Sequence, residues 1–218
     1  MHQKAQKMDR KPVRFVGAAL ADLKDFPKNA MQDVGFQLDK ISKGQDPDDF
    51  KAIPRVGRGA MELRVWDEEG TFRILYVAKF EDAVYVLHCF KKTTQKIPDA
   101  DIDIAKNRYK SIKELVMPNP QKMMETQSFD SVWDALADTP AEAENLKIRS
   151  ALISQISDYI HRKNLTPVGA AKMCQVTQPR MNDLMQGKLS KFSLDALINM
   201  AASAGLHISI ELKEEEFI

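Results

Sequence analysis

Two short helix signals nearly abut in TPVGAAKMCQVTQPRMNDLMQGK, residues 166–188. Thr166 and Thr177 are each followed by a first-turn proline, Pro167 and Pro179, where a missing N–H costs nothing. Val168, Ala171 and Cys174 are expected on the inner face of the first helix, with Ala171 small enough to admit a crossing helix. Val176 fills the turn, and Met181, Leu184 and Met185 are expected to face inward from the second helix. Few folds use two capped helices across so short a turn. The pattern predicts a helix-turn-helix, whose second helix enters the major groove of DNA and offers its N-terminal residues to base edges.

The candidate DNA contacts follow from that placement. Thr177, Gln178, Arg180 and Asn182 stand at the start and flanks of the second helix. Gln and Asn can bond adenine bidentately, and Arg can bond guanine or phosphate. Lys172, Lys188 and Lys191 are expected on backbone phosphates. A plain helical bundle with the same caps is the alternative. The local charge favours DNA: residues 146–191 hold eight Lys and Arg against only Asp158 and Asp183.

This stretch, with LSKFSLDALINMAASAG behind it, resembles the Cro/repressor-like antitoxins of the HigA type over about residues 129–212. Many relatives carry glycine in the turn where this chain has Gln175, and a left-handed backbone there would strain a glutamine. The resemblance implies a homodimer on paired half-sites. HISIEL (207–212) alternates polar residues with Ile208, Ile210 and Leu212, so a C-terminal strand is expected, paired with a partner or packed on its own domain.

The first half has a different texture. VRFV (13–16) reads as a strand, and apolar spacing on either side of Pro27 predicts two helices. MELRVW (61–66), FRILYVAK (72–79) and AVYVLHCF (83–90) read as strands joined by hairpin turns. DADIDIAKNRYKSIKELV then shows a helical apolar stripe. The fold class expected is an α+β domain over 10–116, with N-terminal helices on an antiparallel sheet, followed by an all-α helix-turn-helix domain with a C-terminal strand over 129–218. VMPNPQKMMETQ, with two prolines and no sustained period, marks a linker over 117–128.

Strand 83–90 runs directly into KKTTQK, which places Lys91, Lys92 and Lys96 within six positions. A charged loop is one reading, and a polyanion site on the rim of a sheet is the other. The segment ELR (62–64), the strand FRILY (72–76) and FKKTTQKIP followed by a helix resemble the phage-derived, HigB-type branch of the RelE/ParE toxins, over about residues 10–115. That resemblance implies cleavage of mRNA in the ribosomal A site. RNA can cleave itself when its 2′-OH attacks the adjacent phosphate, leaving a 2′,3′-cyclic phosphate, so an enzyme needs alignment and charge stabilisation more than a metal or cofactor. Arg73, on a central strand, is the expected transition-state stabiliser, with Lys91 and Lys92 binding phosphate and assisting proton transfer. Lys51, Arg58, Arg64 and Lys96 are expected to bind RNA along the rim. His88 alternates with Val86 and Phe90 and is read as a core residue before a catalytic one. A ParE-like branch acting on DNA gyrase is the alternative within the family.

Charge also divides the chain. Residues 1–116 carry 22 − 18 = +4 and residues 117–218 carry 10 − 13 = −3. Residues 125–144 hold six acids and no Lys or Arg. Within them Phe129, Val132, Trp133 and Leu136 repeat at helical spacing, so the segment is expected to neutralise the toxin half through Phe129, Trp133 and Leu136, or else to be an ordinary amphipathic helix. Two cysteines form no metal or disulfide pattern, and no segment reads as a signal or membrane span, so a cytoplasmic protein is expected. The expected function is a toxin–antitoxin fusion: an mRNA endoribonuclease silenced by a DNA-binding antitoxin that also represses its own operon. The alternative is a DNA-binding regulator with an inactive toxin half.

Overall fold

The computed structural model describes residues 10–115 and 125–212, so the expected linker lies outside the described residues up to position 124. Backbone contacts divide the chain into two compact units, Met1–Leu146 and Lys147–Ile218.

The first unit is α+β. Its elements run β1 (Val13–Val16), α1 (Ala19–Lys24), α2 (Lys28–Ser42), β2 (Phe50–Ala52), β3 (Ala60–Asp67), β4 (Gly70–Val77), β5 (Val84–Lys91), α3 (Asp99–Leu115), β6 (Thr126–Phe129) and α4 (Val132–Leu136). The strands form one sheet in the order β2-β3-β4-β5-β1-β6. Tight turns make β3–β4 and β4–β5 antiparallel, but β1, reached across the helices, pairs parallel with β5. The sheet is therefore mixed.

Alternation along the strands gives the sheet two faces. On one, α2 packs against β3 and α1 against β1 and β5, with Phe26 on Phe72 at 4.6 Å between ring centroids. On the other, Leu75, Val77, Tyr85 and Leu87 form a core with Ile102, Ala105, Tyr109 and Ile112 of α3. Helix α3 covers only part of its face, and the candidate site begins beneath it and runs out to the exposed remainder.

The segment expected to be a single amphipathic helix is split. Thr126–Phe129 pairs antiparallel with the open edge of β1, from Val13↔Phe129 to Val16↔Thr126. Phe129 meets Phe15 edge-on at 6.2 Å. The Ser131 side chain accepts a hydrogen bond from the Trp133 N–H and starts α4 there, so Val132, Trp133 and Leu136 share the helix without Phe129. An available strand edge decides the conformation of TQSF, which its apolar spacing does not reveal. Trp133 and Leu136 are buried against α2.

The second unit is helical: α5 (Pro140–Arg162, its first turns counted with the first unit), α6 (Pro167–Met173), α7 (Gln178–Met185), a 3-10 turn at Leu189–Lys191 and α8 (Leu194–Ser203). Ile153, Ile156, Ile160, Ala171, Cys174, Met181, Leu184, Phe192, Leu197 and Met200 are buried. Two expectations are corrected. Val168 is exposed, and Ala170 takes the inner position beside Ala171 and Cys174. The first turn of α6 stands clear of the core, so its Pro-Val pair faces solvent. HISIEL does not form a strand either. It has no ladder partner among the described residues, and without one its alternation leaves Ile210 and Leu212 exposed.

Candidate functional site

The face of the sheet that α3 partly covers is organised as three cross-strand rows, the first of them largely beneath the helix. Lys51, Glu62, Leu75 and His88 form the first, Arg64, Arg73 and Phe90 the second, and Trp66, Thr71 and Lys92 the third. Side chains in a row point the same way, and successive rows lie about 7 Å apart along a strand.

Glu62 anchors the cluster. It is fully buried, and such a carboxylate needs compensating charge. Arg73 Nε lies 3.2 Å from Glu62 Oε1, and Lys51 Nζ lies 3.1 Å from Oε2. These are ion-pair distances, without the alignment of hydrogen bonds. Arg73 is 4% exposed, and it also donates to the Gln95 carbonyl at 3.1 Å, pinning the loop that follows β5. Arg64 bonds the Asp49 carboxylate through its guanidinium and the Asp49 carbonyl through its backbone N–H. Four cations, Lys51, Arg64, Arg73 and Lys92, thus face two carboxylates.

Lys91 and Lys92, adjacent in sequence, part at the strand pleat. Lys92 Nζ sits 5.6 Å from the Trp66 ring centroid on the cationic face. Lys91 points to the opposite face, 5.7 Å from the Phe72 ring and 3.9 Å from Glu69. There it lines an open hollow of about 610 Å³ with Asp22, Asp25 and Phe26. Lys96 is exposed in the loop after β5, and Arg58 is exposed in the turn before β3, its carbonyl accepting from Tyr109 Oη at 2.9 Å. The sheet therefore brings Lys51, Arg64, Arg73 and Lys92 together and leaves Lys91, Lys96 and Arg58 outside the cluster.

His88 is buried between two carboxylates. Nδ1 is 3.1 Å from Asp22 Oδ2, and Nε2 is 2.9 Å from Asp101 Oδ1. Arg108 donates to the same Asp22 oxygen at 3.0 Å and to the Leu87 carbonyl at 2.8 Å. This network ties α1, β5 and α3 together, and neither imidazole nitrogen is left unengaged. Burial pushes the Cys89 thiol well above its ordinary range, which makes it a poor nucleophile. Among the described residues, no cluster of His, Cys, Asp and Glu is placed to hold a metal ion. The sequence reading missed Glu62, Asp49 and Trp66. The two-residue alternation Glu62–Arg64–Trp66 was the available signal, since it puts all three on one face.

In the second unit, the Thr166 and Thr177 hydroxyls accept from the Gly169 and Arg180 N–H groups at 3.2 and 3.4 Å. Gln175 takes φ +55° in the turn between α6 and α7, so the left-handed position is kept without glycine. Thr177, Gln178 and Arg180 are exposed at the start of α7, Asn182 is half-buried, and Lys172 is exposed on α6. The Arg180 guanidinium lies 4.8 Å from the Phe192 ring centroid, which holds it beside the helix start. Lys188 and Lys191 each lie 3.2 Å from the Asp183 carboxylate, so that acid orients them at the end of α7.

Residues 21–110 match the family model of Phage derived protein Gp49-like (DUF891), and residues 135–213 match a helix-turn-helix domain. Comparison with curated proteins gives no match. The chain thus joins a Gp49-like domain, related to toxins of the HigB/RelE type, to a DNA-binding helix-turn-helix domain. That pairing fits a toxin–antitoxin-like fusion or a regulator. No described helix is long and apolar enough to cross a membrane.

Proposed function

We propose that the chain is a self-silenced toxin–antitoxin fusion: a HigB-like mRNA endoribonuclease acting on the ribosome, joined to a HigA-like antitoxin that binds its own operator as a homodimer. The observation that carries this reading is the row of cations that reaches the surface beside α3 on one sheet face of the toxin-type domain. Lys51, Arg64 and Lys92 have surface to touch phosphate. Arg73 stabilises the developing charge from beneath, through the field it adds to theirs. His88, engaged on both nitrogens, is not free to take the 2′-hydroxyl proton. In the antitoxin half, Gln178, Arg180 and Asn182 read bases while Lys172, Lys188 and Lys191 hold phosphates. Phe129, Trp133 and Leu136 silence the toxin by adding an edge strand and a helix to it.

The test is expression of residues 1–116 alone, beside the full chain and a Lys92→Ala version of the fragment, following growth and primer extension on a reporter mRNA. Arrest with cleavage is expected from the fragment only, weakened by Lys92→Ala. A soluble, folded fragment that leaves growth and mRNA intact would overturn the ribonuclease reading. One observation favours a second reading: Arg73 and Arg64 both pair with carboxylates of their own domain. In that case the chain is a DNA-binding regulator whose first half is structural.

A further inference from the structure

Trp66 is 57% exposed at the hairpin end of the cationic face. A lone exposed indole is ordinary on a protein surface; what sets Trp66 apart is the line of cations beside it. Its neighbours on that face define the ligand's chemistry. Lys92 lies 5.6 Å from the ring centroid, and the next row presents Arg64, whose side chain is 31% exposed. The first row adds Lys51, half-exposed. A protein partner would favour an interface core depleted of lysine. Single-stranded nucleic acid favours an aromatic platform beside a line of cations, because each base has a π-face and each phosphate a charge.

We propose that Trp66 stacks an unpaired base of single-stranded RNA, with Lys92 on the adjoining phosphate and the strand continuing over Arg64 toward Lys51. The direction follows from charge: the turn beyond Trp66 carries Asp67, Glu68 and Glu69, which repel phosphate, so the backbone runs away from the turn and across the rows. This inference deepens the ribonuclease reading and rests on it for the identity of the nucleic acid. It assigns the exposed indole a binding role that the cleavage chemistry does not require.

The two tryptophans make the test local. Both lie in the first unit, Trp66 exposed and Trp133 fully buried, so base stacking quenches one and not the other. The full chain is titrated with a mixed-sequence single-stranded RNA 12-mer, following tryptophan emission and the anisotropy of the labelled RNA. Saturable quenching is expected for the full chain and none for Trp66→Phe. Trp66→Ala and Lys92→Ala should each weaken binding about tenfold. Duplex DNA should leave the emission unchanged. Absence of quenching by RNA, unchanged affinity in Trp66→Ala, or equal quenching by single-stranded DNA would overturn the proposal. Quenching by RNA without cleavage by residues 1–116 removes the ribonuclease reading and keeps the platform, whereas cleavage without quenching does the reverse.

Discussion

Trp133 occupies the space that a side chain at position 35 would need: a Cβ on Gly35 would come within 2.6 Å of Trp133 Cζ3 and 2.9 Å of Leu136 Cδ1. A glycine inside a helix costs about 1 kcal/mol relative to alanine. At this position in α2 the cost is offset by the close approach of α4, which buries a whole indole. The contact is reciprocal, and either partner exposes it to test.

Gly35→Ala should destabilise the first unit by about 1–3 kcal/mol, although alanine is the better helix former. Trp133→Ala should cost about 3–5 kcal/mol. Urea unfolding followed by far-UV circular dichroism measures both. A stabilised Gly35→Ala would show that α4 does not dock on α2 in solution.

The network around His88 should be cooperative. Asp101→Asn and His88→Gln should each lower stability by about 1–3 kcal/mol, because each leaves a buried polar partner less well satisfied. In the double variant the losses should fall short of additive by more than about 0.5 kcal/mol. Strict additivity in denaturant melts would mean that the two side chains do not interact.

Alkaline pH should act through Tyr76. Burial, with a smaller contribution from Asp46, pushes its phenol up to about 12 from an ordinary 10.0. The unfolded chain therefore releases this proton first as pH rises, and stability present below pH 10 is lost between about 10 and 12. Tyr76→Phe should move the alkaline unfolding midpoint upward, provided the lost hydroxyl leaves packing intact at neutral pH. Tyrosinate absorbance recorded with the unfolding signal checks the order of events. An unchanged midpoint would contradict the assignment.

Gln175→Gly should stabilise the second unit by about 1 kcal/mol, since a non-glycine residue at φ +55° carries left-handed strain. Part of that gain is returned through the greater freedom of glycine in the unfolded chain. Thermal melts of the variant report the net sign. DNA affinity, measured in parallel by mobility shift, should stay the same because Gln175 lies before the second helix of the helix-turn-helix.

Much of this layout was legible in the residues. The three hairpin strands, the two helices around Pro27 and both capped helices of the second unit have strong local patterns, whereas the turn at Gln175 keeps a left-handed φ of +55° that the residue type argued against. The short edge strands β2 and β6 were not legible, because three or four residues carry too little period to stand out. Their conformation comes from the neighbour they pair with. The site was half-visible for the same reason. Arg73 and Lys92 could be named as cations near one another, but Glu62 meets Arg73 on a diagonal across β3 and β4, and only the register reveals it. The pleat that sends Lys91 to the opposite face likewise needs the strand's phase, which KKTTQK does not contain.

The antiparallel seating of β6 on β1 has a mechanical consequence. A degradative motor engaging the chain from its C-terminal side would finish the second unit, strip α4 from α2, and only then pull on the Phe129 end of β6, opposite Val13. Pulled away from the sheet at that end, the strand opens one residue pair at a time, like a zipper; pulled along its own axis, it would shear all its bonds together. β1 would then regain a bare edge while β2, β3, β4, β5 and β1 stay paired, so this part of the chain can be removed without dismantling the rest of the sheet.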